Sequence, residues 1–341
     1  MPRLKRVTDS QPGIRRVGRG KGFSYLDRRD APVRDTDTLA RIEALAIPPA
    51  WTDVWICPVD NGHIQATGTD DAGRRQYLYH PAWRERRDVE KFRRVEAFAH
   101  RLPVVRRQVT RDLHKPDLTK ATVLACSIRL LDQAFFRIGS EDYAAQNGSF
   151  GLATIRKSHL SIDGDEATFD YTAKSGKRRI QVVRDPDLLP MLLTLKERRS
   201  GRELLAYRLD GRWRDLRSGE INEYLKALAG EEYSAKDFRT WHATVLAAAE
   251  VAASPPATSV TAGRKVVTET VKVVAGYLGN TPAVARASYI DPRVFDRYRD
   301  GVTIRSVGNS FDLSSGERLR ARVERAVLEL LDHDAPAAAA A

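Results

Sequence analysis

Apolar residues recur along this chain with two periods, and the change from one to the other divides it. Over residues 23–90 the pattern is that of a small α+β unit. Leu39, Ile42 and Leu45 share one face of a helix over residues 38–46, which Ile47-Pro48-Pro49 stops. Residues 54–57 read as a strand. Residues 62–68 and 75–79 read as a hairpin pair about the turn Asp70-Asp71-Ala72-Gly73. A charged helix over 81–101 follows. Beyond it the helical period dominates. Val123, Cys126, Leu130, Ala134 and Ile138 form a stripe on a helix capped by Asp117 and ended at Gly139. A β-rich insert comes next, with strands over 158–162, 167–172 and 179–183 around Asp163-Gly164 and Lys174-Ser175-Gly176-Lys177. Further helices fit 188–198, 220–229, 238–252 and 266–277, with Ser254-Pro255-Pro256 separating the last two. Thr281-Pro282 opens another with a cap and a first-position proline. An amphipathic helix over 315–331 is the last, and no internal repeat is visible.

These elements predict an α+β chain: a small N-terminal β-sheet domain with short helices, then a larger, mainly α-helical domain carrying a three-stranded β insert. The expected division is a basic arm over 1–22, the sheet domain over 23–90, the helical domain over 91–332 and a disordered Ala-rich tail over 333–341. At 341 residues and 42% apolar, the chain is long enough for two domains with real cores. Charge then adds to the picture. Lys and Arg number 57 against 45 Asp and Glu, a net +12, which points to a polyanionic partner. Arg3, Lys5, Arg6, Arg15, Arg16, Arg19 and Lys21 precede Phe23 with Asp9 the only acid among them, so this arm is expected to be mobile and to grip phosphates. Cys57 and Cys126 sit in apolar runs and read as buried free thiols of a reducing compartment. No run approaches a membrane span, and the basic N-terminus lacks a signal peptide's apolar stretch. The expectation is a soluble protein of the cytoplasm, associated with the nucleoid.

Several chemistries are missing. Gly18-Arg19-Gly20-Lys21-Gly22 is too short for a phosphate loop and lacks its Lys-Ser/Thr ending. No Cys or His pair has zinc spacing, and no acidic cluster suggests magnesium. Neither ATP, nor a metal, nor another cofactor is expected.

Four segments carry chemistry together: Phe136-Arg137-Ile138-Gly139-Ser140-Glu141-Asp142-Tyr143; Tyr171-Thr172-Ala173-Lys174-Ser175-Gly176-Lys177; Lys236-Asp237-Phe238-Arg239-Thr240-Trp241; and Leu278-Gly279-Asn280-Thr281-Pro282 running to Ser288-Tyr289-Ile290-Asp291-Pro292. Each residue alone has an ordinary explanation: a solvated arginine, a turn lysine, a packing tyrosine, a helix-entry asparagine. Together they hold what moving a DNA strand onto a side chain requires. Tyrosine is a good nucleophile when ionised, but a pKa near 10 leaves only ~0.1% ionised at pH 7, so cations must help. Two arginines can clamp phosphate oxygens, and a lysine at a hairpin tip can protonate the departing 5′-oxygen.

In these segments the chain resembles the type IB DNA topoisomerases of the poxvirus-like kind, including their bacterial members, and more distantly the tyrosine recombinases. The likeness extends to residues 47–56, 62–70 and 73–80, which look like the family's DNA-clamping β-domain, so it spans roughly residues 23–300. It implies an enzyme that nicks one strand of duplex DNA, lets the duplex swivel and reseals it, relaxing positive and negative supercoils without ATP or metal. Tyr289 would be the nucleophile, carrying a 3′-phosphotyrosyl bond. Arg137 and Arg239 would stabilise the scissile phosphate, and Lys174 would be the general acid, with Lys177 a neighbouring rival. The family usually has His where Asn280 stands; Asn280 can still donate a hydrogen bond but cannot become cationic. In related enzymes the hairpin carrying Gln76, Tyr77 and Tyr79 enters the major groove, where Gln reads adenine. Alternation puts Tyr77 and Tyr79 on one face and Gln76 on the other. Arg74, Arg75, Tyr143, Lys157, Lys177 and Lys236 complete the candidate duplex contacts. One site and two domains suffice, so a monomer is expected.

Two other readings remain open. A tyrosine recombinase shares the covalent chemistry, but recombinases typically place His two or three residues before the second arginine, where this chain has Lys236. A non-catalytic duplex-binding protein of the same fold is opposed by the complete Arg, Lys, Arg, Tyr set, while Asn280 keeps it open.

Overall fold

The computed structural model describes residues 3–20, 22–304 and 316–332. It forms two compact units, Met1–Phe92 and Arg93–Ala341. In the first, alternation builds a five-stranded antiparallel sheet. Its strands are β1 (Ile14–Arg19), β2 (Gly22–Leu26), β3 (Thr52–Ile56), β4 (Ile64–Thr69) and β5 (Arg75–Tyr79), in the order β2-β1-β3-β4-β5. Helix α1 (Thr36–Ala44) is capped by Asp35, whose carboxylate accepts from the Thr38 amide at 2.8 Å. Ile14, Val54, Ile56 and Ala66 pack with Ile42 of α1, while Val7, Trp55 and Cys57 form a second small core. Ala66 pairs with Leu78 and Thr67 with Tyr77, so Leu78 packs against the α1 side and Tyr77 faces the other way.

The basic arm expected to be mobile is corrected here. Residues 14–19 form β1, an inner strand, and β2 lies on its outer side. Arg16 is structural: it donates to the carbonyls of Pro48 (3.0 Å) and Trp51 (2.5 Å), and its guanidinium lies 4.1 Å from the Phe23 ring. The strand Ile-Arg-Arg-Val-Gly-Arg holds two apolar residues in six, so its charge hides its pattern. Lys21 and the proposed tail over 333–341 lie outside the described residues.

Helix α2 (Pro81–Leu113) passes Pro103 and extends well beyond the expected end at 101. The second unit continues with α3 (Lys120–Gln133), α4 (Glu141–Asn147), β6 (Leu160–Asp163), β7 (Glu166–Ala173), β8 (Lys177–Val183) and α5 (Leu189–Glu197). The hairpin β9 (Ala206–Leu209) and β10 (Arg212–Asp215) follows. Then come α6 (Ser218–Ala229), α7 (Ala235–Ala253), α8 (Val260–Leu278), α9 (Pro282–Ser288), α10 (Pro292–Arg299) and α11 (Glu317–Leu331). The expected three-stranded insert is the sheet β6-β7-β8. Around α7 gathers a large apolar core that includes Phe98, Phe136, Phe238 and Trp241, all fully buried. Inside the unit, Asp132 of α3 takes a two-pronged bond from Arg106 of α2 (2.8 and 2.9 Å) and one from Arg320 of α11 (2.5 Å). Arg106 also holds Glu324 of α11 at 2.6 and 2.8 Å, so α11 is docked through buried charge.

The expected α3 differs in a way that matters for the site. Its cap is Thr119, not Asp117, and it ends at Gln133 rather than Gly139. The apolar stripe continues past the true end, but Ala134 (φ −145°, ψ 51°) and Phe135 (φ +36°) leave helical geometry. Phe135 and Phe136 are thereby buried, and the Phe135 carbonyl is released from the helical ladder.

Candidate active site

Arg137 lies in the extended segment that follows α3. The amide of Leu152 donates to the Arg137 carbonyl and that of Ala153 to the Ile138 carbonyl, both at 2.8 Å. This close pairing needs Gly151: a Cβ there would lie 2.5 Å from the Gly139 backbone. The half-buried Arg137 guanidinium donates to the Asn280 side-chain oxygen. Because arginine only donates, that contact fixes the amide's orientation and turns its nitrogen away. The nitrogen is buried and has no protein partner.

Asn280 owes its place to the end of α8. Gly279 (φ +64°) closes that helix in the left-handed region, and the Asn280 amide donates back to the Ala275 carbonyl at 3.0 Å. Thr281 then caps α9 with Pro282 at its first position, as Thr-Pro predicts. Arg239, in the second turn of α7, is 4% exposed. It donates to the carbonyl of Phe135 and, at 2.8 Å, to that of Leu278. Both acceptors exist because their helices end there, and the Arg239 Nε is left without a partner. Burial first, and then repulsion from Arg137, lowers the Arg239 pKa to about 10, which still leaves it cationic at neutral pH.

Tyr289 terminates α9 and is 8% exposed. Its ring centroid lies 5.5 Å from the Arg239 guanidinium and 5.9 Å from the Lys236 ammonium. Burial alone would raise the phenol's pKa, but Arg239, Arg137 and Lys236 outweigh it and hold the group below its ordinary value. The Thr244 hydroxyl braces the turn: it accepts from the Asp291 amide (3.1 Å), and its single hydrogen is shared between the Thr240 carbonyl (3.0 Å) and the more distant Tyr289 carbonyl (3.4 Å). Arg137, Arg239, Asn280 and Tyr289, drawn from three of the four segments, thus meet. Lys174 stands apart, exposed on the turn between β7 and β8 beside Ser175 (φ +67°), and Lys177 is exposed at the start of β8.

The candidate duplex contacts are placed unequally. Tyr77 and Tyr79 stack at 6.0 Å on one face of β5, and Tyr77 is exposed. Arg74 and Gln76 both hold Asp70, with Arg74 keeping that carboxyl down at about 2. Arg75 is engaged by Asp9, Thr67 and the Asp53 carbonyl. The Lys157 ammonium donates to the Arg198 carbonyl at 2.6 Å, a structural use. Tyr143 is half-buried on α4, and Lys236 is exposed at the start of α7. The sequence pattern passed over Thr244 and Arg179. Alternation with buried Gln181 and Val183 turns Arg179 inward, and that was its one signal. Among the described residues no group of three or more His, Cys, Asp or Glu is placed to hold a metal, and no helix is long and apolar enough to cross a membrane.

Comparison with known proteins identifies the family. The eukaryotic DNA topoisomerase I catalytic core matches residues 80–305, and the bacterial DNA topoisomerase IB N-terminal domain matches residues 22–70. The DNA topoisomerase 1B of Acanthamoeba polyphaga mimivirus is 31% identical over 300 residues, covering 84% of this chain and 88% of the relative. The DNA topoisomerase 1B of Vaccinia virus (strain Copenhagen) and the DNA topoisomerase I of Monkeypox virus are each 23% identical over 235 residues, covering 68% of this chain and 72% of the relative. With both of its units matched, the chain belongs to the type IB DNA topoisomerases.

Proposed function

We propose that this topoisomerase relaxes positively and negatively supercoiled duplex DNA by exchanging a phosphodiester for a phosphotyrosine. The Tyr289 oxygen attacks the scissile phosphorus, the bond to the 5′-oxygen breaks, and the 3′ end stays on the enzyme. Supporting this most directly is one buried phenol held below its usual pKa by Arg239, Arg137 and Lys236. Beside it are two donors without partners, the Arg239 Nε and the Asn280 amide nitrogen. Buried donors left unpaired are costly, and a phosphate's non-bridging oxygens would satisfy both. Arg137 and Arg239 neutralise the charge that grows on those oxygens. Asn280 contributes a neutral hydrogen bond where the family's histidine would contribute a charged one.

Lys174 is proposed as the general acid. On its exposed turn it is free to enter the minor groove of a bound duplex and to give its proton to the 5′-oxygen. The ester retains the energy of the broken bond, so resealing needs no ATP, and torsion in the DNA drives the swivel. Binding draws on phosphate contacts and falls with salt. Stacked Tyr77 and Tyr79 are the favoured groove contacts of the sheet unit. A monomer is sufficient for this chemistry. Supercoiled plasmid incubated without ATP or magnesium tests the proposal: the wild type should relax both signs of supercoil, and Tyr289→Phe neither. Relaxation by that variant would sink it, and strand exchange between paired sites would favour a recombinase.

A further inference from the structure

Arg179 is the inward-facing arginine of β8, and its side chain reaches out of its own sheet. Its guanidinium donates to the carbonyls of Gly276 (2.7 Å) and Tyr277 (2.5 Å), at the C-terminal end of α8. The last carbonyls of a helix lack partners within it, and a cation there also meets the negative end of the helix dipole. The same side chain packs on the next turn. A Cβ on Gly279 would come within 3.3 Å of the Arg179 Cδ and terminal nitrogen, so the arginine lies directly against the residue before Asn280.

The sheet beneath it is tied elsewhere. Tyr171, the register partner of Arg179, stacks on Phe136 at 6.1 Å and donates to the Gln181 side chain at 2.5 Å. Gln181 in turn donates to the Ala134 carbonyl. The inward face of the β7–β8 hairpin is therefore fastened through Gln181 and Tyr171 to the segment leading into Arg137, and through Arg179 to the end of α8 that precedes Asn280. The Arg137–Asn280 contact closes the circuit. Burial, with repulsion from Arg137, disfavours a further cation at this place, so its presence calls for a use.

We propose that Arg179 is a positioning residue for the transesterification. It fixes the end of α8 so that the Asn280 amide bonds Arg137 through its oxygen and keeps its nitrogen free for the phosphate. This rests on the reading of the site given above. It makes Arg179 act through Asn280, and not through the lysine on its own hairpin.

The test is single-turnover cleavage of a suicide duplex by the full chain, with duplex affinity measured separately in a Tyr289→Phe background. Arg179→Ala should slow cleavage by roughly 10- to 100-fold, the range of a misplaced donor, with affinity changed less than about twofold. Arg179→Lys, which keeps a cation at the helix end, should recover part of the loss. Arg179→Ala combined with Asn280→Ala should be no more than ~3-fold slower than Asn280→Ala alone, as expected of residues acting as one unit. A sulfur leaving group at the 5′ position should rescue Lys174→Ala but not Arg179→Ala. Multiplicative losses in the double variant, sulfur rescue of Arg179→Ala, or affinity lost in proportion to rate would each overturn the proposal. If thermal melts show Arg179→Ala unfolded, Arg179→Lys carries the same cycle and the same outcomes apply. An adduct formed by Tyr289→Phe would instead remove the underlying reading of the site, whatever Arg179 does.

Discussion

Replacing Asn280 by alanine removes the one neutral donor from the cluster around Tyr289. Its nitrogen is buried and unpaired while its oxygen holds Arg137, so the variant loses a donor already aimed and desolvated. Removing one such preorganised donor from a site of developing negative charge costs about 2.7–4 kcal/mol, or 10²–10³ in rate. Charged donors bond roughly twice as strongly as neutral ones, so an amide belongs at the lower end: ~2.7 kcal/mol, about 10²-fold. Folding should suffer little, because half-buried Arg137 can turn to water; a loss of about 1 kcal/mol is the expected scale. The assay is quenched single-turnover cleavage of a duplex whose short 3′ fragment escapes, so that adduct formation is irreversible. Wild-type and Asn280→Ala proteins should bind that duplex equally and differ only in rate. Asn280→His keeps a donor in place and should stay within ~10-fold of wild type. A loss under about threefold for Asn280→Ala would refute the role given to the free amide nitrogen.

Lys174→Ala should cleave ordinary DNA slowly and recover with a 5′-sulfur leaving group that needs no proton; failure to recover would assign the proton to another group, Lys177 first. Asp132→Asn should destabilise the helical unit by about 3–5 kcal/mol in denaturant titrations, because Arg106 and Arg320 lose their shared buried counter-charge; a loss below ~1 kcal/mol would mean the network is not what docks α11. Acid should weaken the fold through His242, which is fully buried and whose imidazole burial holds below its usual value, although Asp132 lies 3.3 Å away. As pH falls past about 6.5 the unfolded chain takes up a proton that the folded chain refuses, so this stability is present above 6.5 and drains away toward the lower folded value. Thermal melts from about pH 8 to 5 should therefore slope less in His242→Gln than in wild type, and equal slopes would contradict the assignment.

Much of the site was readable because its chemistry needs unusual residue types in a fixed order. Tyr289, Arg239, Arg137 and Asn280 are recognisable from the motifs around them, and Thr281-Pro282 announces the helix that carries the tyrosine. What binds them together was not readable. The Phe135 carbonyl accepts from Arg239 only because α3 ends earlier than its apolar stripe suggests. Periodicity reports which side chains are apolar, not where the backbone turns. The strand β1 was lost to the opposite error, its arginines reading as a charged arm when Arg16 serves four backbone carbonyls. Arg179 looked like one of three successive basic residues, and strand alternation alone could have separated it from its neighbours. Arg75 and Lys157 show the reverse: both suggested phosphate contacts, yet each is held by groups of the protein itself.

The decisive measurement is to trap the enzyme on duplex DNA labelled at the nucleotide 5′ to the break, digest it, and locate the labelled peptide by mass. The account predicts one modified peptide, spanning Ser288-Tyr289-Ile290, with the phenol oxygen of Tyr289 bonded to a 3′-phosphate. A label on any other residue, or relaxation with no attached DNA at all, would contradict it.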